Sequence, residues 1–435
     1  MKVVTEKIKF CAVLFCLFAA VTNAELRIKV IGGAEQAVPI AIVPFGWQGA
    51  GAKPFDVSQT LSNDLANSGR FNPLPPDEML ERPLTGRDID FEDWRILGIE
   101  VVIVGQLLQT GNDEYTIQFQ LFDVFRGKQL LGYRQPSTGK QLRRATHLVA
   151  DMIYQELTGI RGIFSTRIAY ITVEGKPPDQ RFRLIVADAD GENERILVDS
   201  NEPLMSPAWS PDGRKLAYVS FEKQQSEIYV QTLRSGARKR VSSRAGVNGS
   251  PAWSPDGRKL ALTLSKTEGN LDIYILDLQS QMLTRLTNRA SIDTEATWSK
   301  DGNMIYFTSD RAGQPQIYRI PARGGKVSRV SFEGTYNARP RISPSAEQVA
   351  VVHNDRGNYR IGLIGLDQGF MQVLTKGSLD ESPSFAPNGE SLIYATRDRQ
   401  QGVLATVSVD GRTHRRISVV RGDVREPAWS PFVRN

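Results

Sequence analysis

A repeat of about 44 residues dominates the second half of the chain and restricts what it can fold into. The string SPAWSPDGRKLA occurs at 206–217 and again at 250–261. Six related units align on one bulky residue, at intervals of 44, 45, 44, 43 and 44: Trp209, Trp253, Trp298, Ile342, Phe385 and Trp429. A four-stranded propeller blade has this length, so the repeat predicts a β-propeller.

Each unit predicts four strands, of which the first ends at the bulky residue and is followed by a turn such as SPDG. The second, third and fourth strands of the unit are predicted six times along the chain. The first such set, at 167–173, 181–190 and 194–200, has no opening strand before it, whereas the terminal EPAWSP at 426–431 is an opening strand with no set after it. Together they would complete a sixth blade, so we predict a six-bladed ring closed by its C-terminal strand. We expect the Trp and Phe residues to pack between blades.

The segment before the repeats differs in pattern. Residues 1–24 have lysines followed by an apolar stretch and a small-residue cleavage site, which is typical of a secretory signal. Residues 25–160 contain predicted strands, three of which form a meander at 99–109, 114–124 and 128–135, and predicted helices at 56–69, 92–98 and 140–159. Strands followed by helices on one face indicate a compact α/β domain. Within it, 25–33 is predicted to be a mobile segment: a strand at 25–31 attached through a flexible joint at Gly32 and Gly33. This strand could pair in its own sheet or with the sheet edge of another protein. The predicted fold is therefore an N-terminal α/β domain followed by an all-β propeller at 161–435.

Composition excludes several classes of protein. The formal charge is +6, and removing 1–24, with three lysines and one glutamate, leaves about +4, too little and too scattered for a nucleic-acid binder. The apolar stretch of the signal is shorter than the roughly 20 residues of a membrane span. Both cysteines, Cys11 and Cys16, precede the cleavage site. We expect an exported protein without disulfides, nucleic-acid binding or direct membrane insertion.

Motifs for catalysis or cofactor binding are missing from the sequence. It contains no G-x-S-x-G, H-E-x-x-H or glycine-rich phosphate loop. His147, His353 and His414 fall in three separate predicted elements and are interpreted as incidental surface or packing residues. The string DADGENE at 188–194 faintly resembles a calcium loop, but it aligns with ordinary turns of other repeats. We expect no catalytic residues, no metal and no cofactor.

Longer motifs resemble one family. The stretches PIAIVPFGW, LANSGRFNPL, LTGIRGIFSTRIAY, PLMSPAWSPDGRKLAYV and the terminal PAWSP, in this order, are similar to the TolB family of the Tol–Pal system. The resemblance implies a monomeric, non-enzymatic scaffold in the periplasm of Gram-negative bacteria. It would link the outer-membrane lipoprotein Pal to inner-membrane TolA, support envelope integrity and cell division, and serve bacteriocin import.

The expected sites lie at two places. In a propeller the opening strand lines the central channel, so the residues just before each bulky residue should ring one mouth. They are Met205, Ser206, Val247, Asn248, Gly249, Ser250, Asp293, Thr294, Glu295, Ala338, Arg339, Asp380, Glu381, Arg425 and Glu426. The resemblance implies that this mouth receives Pal and bacteriocin segments, with Thr294 and Glu295 matching family contact positions. What Val247 and Ser250 contribute stays open.

The resemblance also implies that the extreme N-terminal segment binds TolA. It consists of Glu25, Leu26, Arg27, Ile28, Lys29, Val30 and Ile31. Two alternatives stay open beside this reading. Propellers of this repeat type also precede the catalytic domain of prolyl-oligopeptidase-type peptidases, and exported propellers also bind carbohydrates or metals.

Overall fold

A computed structural model describes residues 37–265, 270–417 and 422–433. The predicted signal and the segment from Glu25 to Ile31 lie outside these ranges. No helix within them is both long enough and apolar enough to cross a membrane.

The N-terminal domain contains three α-helices and a mixed sheet between residues 37 and 160. Its helices are α1 (Val57–Asn67), α2 (Phe91–Ile96) and α3 (Leu142–Thr158), with 3-10 turns at Pro76–Glu78, Gly86–Asp88 and Gly139–Gln141. Its strands are β1 (Val38–Ile42), β2 (Gly46–Gln48), β3 (Phe71–Pro73), β4 (Val101–Gly111), β5 (Glu114–Asp123) and β6 (Lys128–Thr138). The strand order is β3-β1-β4-β5-β6, with β2 on the far half of β4.

Side chains along each strand point alternately to the two faces of the sheet, and each face has its own hydrophobic core. Ile40 and Ile42 face α1 and α3, while Ala41 and Val43 face the opposite side, where α2 packs through Trp94. The prediction of helices on one face therefore holds for α1 and α3 but not for α2. The antiparallel β4-β5-β6 meander is as predicted.

The two long helices begin and end as their sequences indicate. The Asp56 side chain accepts from the backbone N–H of Gln59 at the start of α1. At the end of α3, Gly159 takes a left-handed conformation with φ 74°, and its N–H bonds the carbonyl of Gln155 at 2.8 Å. A short connection then leads to the first propeller strand at Arg167.

Six four-stranded antiparallel sheets form the propeller, numbered here as blades 1 to 6. Blade 1 is β10 (Leu204–Trp209), β11 (Lys215–Ser220), β12 (Glu227–Thr232) and β13 (Arg238–Ser242). Blade 2 is β14 (Asn248–Trp253), β15 (Lys259–Ser265), β16 (Leu271–Asp277) and β17 (Leu283–Arg285). Blade 3 is β18 (Asp293–Trp298), β19 (Met304–Ser309), β20 (Gln316–Pro321) and β21 (Ser328–Arg329).

The remaining blades repeat this order. Blade 4 is β22 (Asn337–Ile342), β23 (Gln348–Asp355), β24 (Asn358–Gly365) and β25 (Met371–Val373). Blade 5 is β26 (Glu381–Phe385), β27 (Ser391–Asp398), β28 (Gln401–Ser408) and β29 (His414–Ile417). Blade 6 combines β30 (Asp423–Trp429) with β7 (Arg167–Glu174), β8 (Arg181–Asp188) and β9 (Arg195–Ser200).

The ring closes as predicted, through the pairing of the last strand with the first. β30 lies antiparallel to β7, with Asp423 opposite Val173 and Trp429 opposite Ile168. Trp429 is buried, and its indole N–H donates to the Thr166 hydroxyl at 2.9 Å. The two ends of the propeller are thus held together without a covalent link.

Tryptophan side chains join neighbouring blades, as predicted. The indole N–H of Trp253 donates to the carbonyl of Ala208 in blade 1, and that of Trp298 donates to Ala252 in blade 2. The turn after each first strand is fixed locally. In blade 1 the Ser210 hydroxyl accepts from the N–H of Lys215, and Gly213 takes a φ of 67°.

The N-terminal domain packs on the propeller face that carries these turns. Arg70 pairs with Glu390 at 3.0 Å, and the Asn388 side chain donates to the carbonyl of Arg161. Asn388 and Glu390 lie in the turn between β26 and β27, which we place on the turn face. The opposite face, called here the open face, carries the residues where the first strands begin.

Candidate functional site: the channel mouth on the open face

A central cavity of about 730 Å³ runs along the first strands of the propeller. All six blades contribute to its wall. Its lining extends from Ser206 and Glu426 at the open face to Pro431 and Phe432 at the turn face. The sequence prediction that the opening strands line a central channel is therefore confirmed.

One residue in each first strand has an unusual backbone conformation. These six residues have φ between 45° and 56°, and we call them the channel ring: Ser206, Ser250, Glu295, Arg339, Ser382 and Glu426. In every blade the pairing register with the second strand shifts at this point. Such bulges redirect a side chain, and all six residues line the cavity.

Arg339 reaches across the channel ring from blade 4. Its Nε donates to one carboxylate oxygen of Glu295 at 2.8 Å, and its backbone N–H donates to the other at 3.0 Å. One terminal nitrogen bonds the Ser382 hydroxyl, and the other lies 3.5 Å from the Glu426 carboxylate. The guanidinium thus contacts blades 3, 5 and 6.

The two carboxylates are anchored from the other side. Glu295 also accepts from the Thr308 hydroxyl at 3.0 Å, and Glu426 accepts from the backbone N–H of Ser206 at 2.6 Å. Charge-assisted hydrogen bonds of this kind are stronger than neutral ones and fix the geometry. The mouth therefore presents charges whose positions are set before any partner arrives.

The two arginines of β22, Arg339 and Arg341, differ in electrostatic environment. Burial lowers the pKa of Arg339, but the charges of Glu426 and Glu295 outweigh burial and raise that pKa above its ordinary value. Burial, together with the positive charge of Arg339, lowers the pKa of Arg341 to about 10. Both side chains line the cavity and carry positive charge at neutral pH.

Eleven of the fifteen predicted mouth residues lie in or beside the opening, in three groups. Ser206, Ser250, Glu295, Arg339 and Glu426 belong to the channel ring. Met205, Val247 and Arg425 are exposed beside it. Gly249, Thr294 and Glu381 are partly buried in the same strands.

Four other predicted residues do not face the opening. Asn248, Asp293, Ala338 and Asp380 are almost completely buried. Asn248 bonds the backbone of Arg244, while Asp293 forms an ion pair with Arg311 at 2.8 Å. Asp380 accepts from the Thr396 hydroxyl and the N–H of Gly377. They support the loops under the mouth, because the bulge separates them from the channel ring.

Sequence reasoning missed three residues of this site. Ser382 lies in the channel ring, Arg341 lies deeper in the channel, and buried Asn337 supports the loop of blade 4. A signal for Ser382 was present in the repeat. The channel-ring residue stands three positions before the bulky residue of each repeat, and in five blades a proline follows it. Ser382 stands three positions before Phe385 and is followed by Pro383, so the alignment of the repeats identifies it.

The histidines occupy different environments. His353 is buried with Nδ1 2.9 Å from the side-chain oxygen of Asn337, and His414 is exposed on β29. His147 is buried where α3 meets the propeller. The predicted TolA-binding segment lies outside the described residues.

Comparisons with known proteins agree along the chain. A family model for the TolB amino-terminal domain matches 26–130, and one for the TolB beta propeller domain matches 154–433. A curated "Tol-Pal system protein TolB" from Thioalkalivibrio sulfidiphilus is 49% identical over 98% of this chain and 99% of its own. The chain belongs to the TolB family.

Other TolB proteins give the same result. A Tol-Pal system protein TolB from Xanthomonas campestris pv. campestris is 47% identical over 97% of this chain and 96% of its own. The crystal structure of TolB from Acinetobacter baumannii superposes with a TM-score of 0.85 at 42% identity, covering 92% of this chain and 98% of the other. The TolB architecture of an α/β domain before a six-bladed propeller therefore holds for the whole described chain.

Proposed function

We propose that this protein is a non-enzymatic protein-binding scaffold of the Tol–Pal system in the periplasm. Its channel mouth binds the lipoprotein Pal, and the segment from Glu25 to Ile31 binds TolA. In this role it supports outer-membrane integrity and cell division, and bacteriocins use the same mouth during import. The family membership, the predicted export signal and the geometry of the mouth support this proposal.

The preorganised channel ring is the observation that carries the proposal. Arg339 and the Glu295 carboxylate hold each other in place, so a ligand meets fixed donors and acceptors. When the polar groups of a site are already held in place, less conformational entropy is lost on binding. A protruding polypeptide segment has the width and the mixed polar groups to enter such an opening.

Apolar side chains surround the charged opening. Met205, Val247 and Ile292 are 40%, 45% and 48% exposed, and each lies within four residues before its blade's channel-ring residue. Protein interfaces combine such apolar contact area with a few well-placed polar groups. A solvated rim without a partner has no need for this arrangement, so the rim favours a protein ligand.

The chemical groups at the mouth favour binding over catalysis. A hydrolytic site needs a nucleophile held by a base. In the channel ring, the hydroxyl of Ser382 bonds the guanidinium of Arg339, and the carboxylate of Glu295 bonds Arg339 and Thr308. These groups satisfy one another, which suits a fixed recognition surface.

Calorimetric titration with soluble Pal tests the proposal. The chain from Glu25 should bind one Pal molecule, and Glu295→Ala should weaken binding by about 2–4 kcal/mol, since it removes one charge and releases Arg339. Glu347→Ala, an exposed carboxylate on the turn face of blade 4, is the matched control. Equal affinities for Glu295→Ala and wild type, with both proteins folded, would remove the channel ring from the binding site.

A further inference from the structure

A buried histidine faces two carboxylates where the domains meet, away from the channel mouth. His147 projects from α3, and its side chain is only 2% exposed. Its Nε2 lies 3.9 Å from an oxygen of Asp188 and 3.9 Å from an oxygen of Asp190. Both aspartates belong to the end of β8 and the turn that follows it in the propeller.

The Nε2 atom of His147 has no hydrogen-bond partner among the described residues. The Nε of Arg143, also buried and 3.4 Å from Asp188, makes no hydrogen bond there either. Buried polar atoms are nearly always satisfied by protein, water or an ion. The Nε–H of Arg143 is a donor and cannot bind a cation, but the Nε2 of His147 can, and its lack of a partner beside two carboxylates indicates an additional occupant.

The other ring nitrogen of His147 is held by a carboxylate. Nδ1 lies 2.6 Å from Asp64 on α1, and Asp64 is itself almost completely buried. A carboxylate on one nitrogen fixes the ring and leaves the lone pair of the other nitrogen for a metal, the usual outer-shell arrangement at metal-binding histidines. Here that free nitrogen points between two further carboxylates.

We propose that His147, Asp188 and Asp190 form a binding site for a divalent cation of the zinc type, oriented by Asp64. Imidazole with carboxylates suits zinc, whereas calcium and magnesium prefer sites made of oxygens alone. Nε2 of His147 lies 3.9 Å from each of these two carboxylates, whereas ligand atoms around a tetrahedral zinc are roughly 3.4 Å apart. Each carboxylate oxygen must therefore approach Nε2 by about half an ångström to close the site.

Charge at this place also fits a divalent cation. Three carboxylates surround His147, and Arg143 supplies one positive charge through its contacts with Asp188 and Asp190. With neutral His147 the group keeps two excess negative charges, which a divalent cation would neutralise. A bound cation would also displace Arg143 from one of these carboxylates.

A proton is the competing occupant. Zinc binds an unprotonated ring nitrogen of histidine, so a proton on Nε2 of His147 would have to leave before the metal binds.

The site would connect the two domains. Its ligands come from α3 on one side and from the β8–β9 turn on the other, with Asp64 of α1 behind them. A bound cation would fix the N-terminal domain against blade 6. Residues 25–435 contain no cysteine to compete for the metal, and His353 and His414 lie on blades 4 and 5.

Titration of the metal-free chain from Glu25 with Co²⁺ and Zn²⁺ tests this site. We expect one equivalent of Co²⁺ to give the absorption of a tetrahedral complex, Zn²⁺ to displace it, and Zn²⁺ to raise the melting temperature. His147→Gln and Asp190→Asn should each lower affinity at least tenfold. Their matched controls, His414→Gln and Glu192→Gln, carry exposed side chains and should bind as wild type does.

Three results would overturn the site. One is the absence of stoichiometric binding, with a melting temperature that responds to pH but not to Zn²⁺, which would assign the place to a proton or a water. Another is wild-type affinity in both site variants. The last is a loss confined to a His147→Gln variant that has also lost its melting transition, while folded Asp190→Asn binds normally.

Discussion

Closure of the propeller by β30 makes Trp429 a sensitive position. The side chain is 8% exposed and packs against Ile168, Tyr170 and Ile393, and its indole N–H bonds Thr166. Truncation of a buried Trp to Ala costs about 3–5 kcal/mol through lost burial and the cavity left behind. We expect Trp429→Ala to weaken the pairing of β30 with β7 by about this free energy.

Hydrogen exchange measured by mass spectrometry reports this pairing directly. If β30 leaves β7 in the opened state, 3 kcal/mol corresponds to roughly a hundredfold faster exchange of the amides in both strands. Trp298→Ala is the matched control, because Trp298 is equally buried and also donates its indole N–H, to the carbonyl of Ala252, within the continuous part of the ring. Unchanged exchange in β7 and β30 of Trp429→Ala, or equal acceleration there in Trp298→Ala, would refute the closure reasoning.

Two further predictions concern the N-terminal domain. Burial raises the pKa of Asp151 to about 6, against 3.8 ordinarily, so the native state keeps its proton up to a higher pH than the unfolded state does. The contribution of Asp151 to the free energy of unfolding therefore falls as the pH rises from about 4 to about 6. Asp151→Asn should remove this part of the pH dependence in unfolding titrations at pH 4.5 and 7, and an identical pH profile in both proteins would contradict the prediction. Deleting 25–31 should abolish binding of TolA in calorimetry and spare that of Pal, whereas loss of both would contradict the assignment of two separate sites.

Repetition made the propeller predictable from the sequence. Six aligned units gave the number of blades, and the incomplete units at 167–200 and 426–431 gave the closing strand. Hydrophobic periodicity was sufficient for α1, α3 and the β4-β5-β6 meander. The position of α2 was not predictable in this way, because a helix of six residues carries too little pattern to say which face of the sheet it covers.

Which residues of the first strands face the channel depends on a backbone bulge that cannot be read from the repeat sequence. Asp293 and Glu295 are two residues apart and would face the same side of a regular strand, yet one is buried and the other lines the channel. The bulge at each left-handed residue changes the alternation. His147 and Asp190 come together only through the docking of two domains, which no local pattern encodes.

The footprint of Pal on the protein tests the central proposal most directly. Hydrogen exchange of the chain from Glu25, with and without saturating soluble Pal, locates the protected amides. We predict protection on the open face, in peptides spanning 247–250, 293–295 and 337–339, with exchange at the 211–214 turn unchanged. Protection confined to the turn face or to the N-terminal domain, with no change around Glu295 and Arg339, would contradict the assignment of the channel mouth as the Pal site.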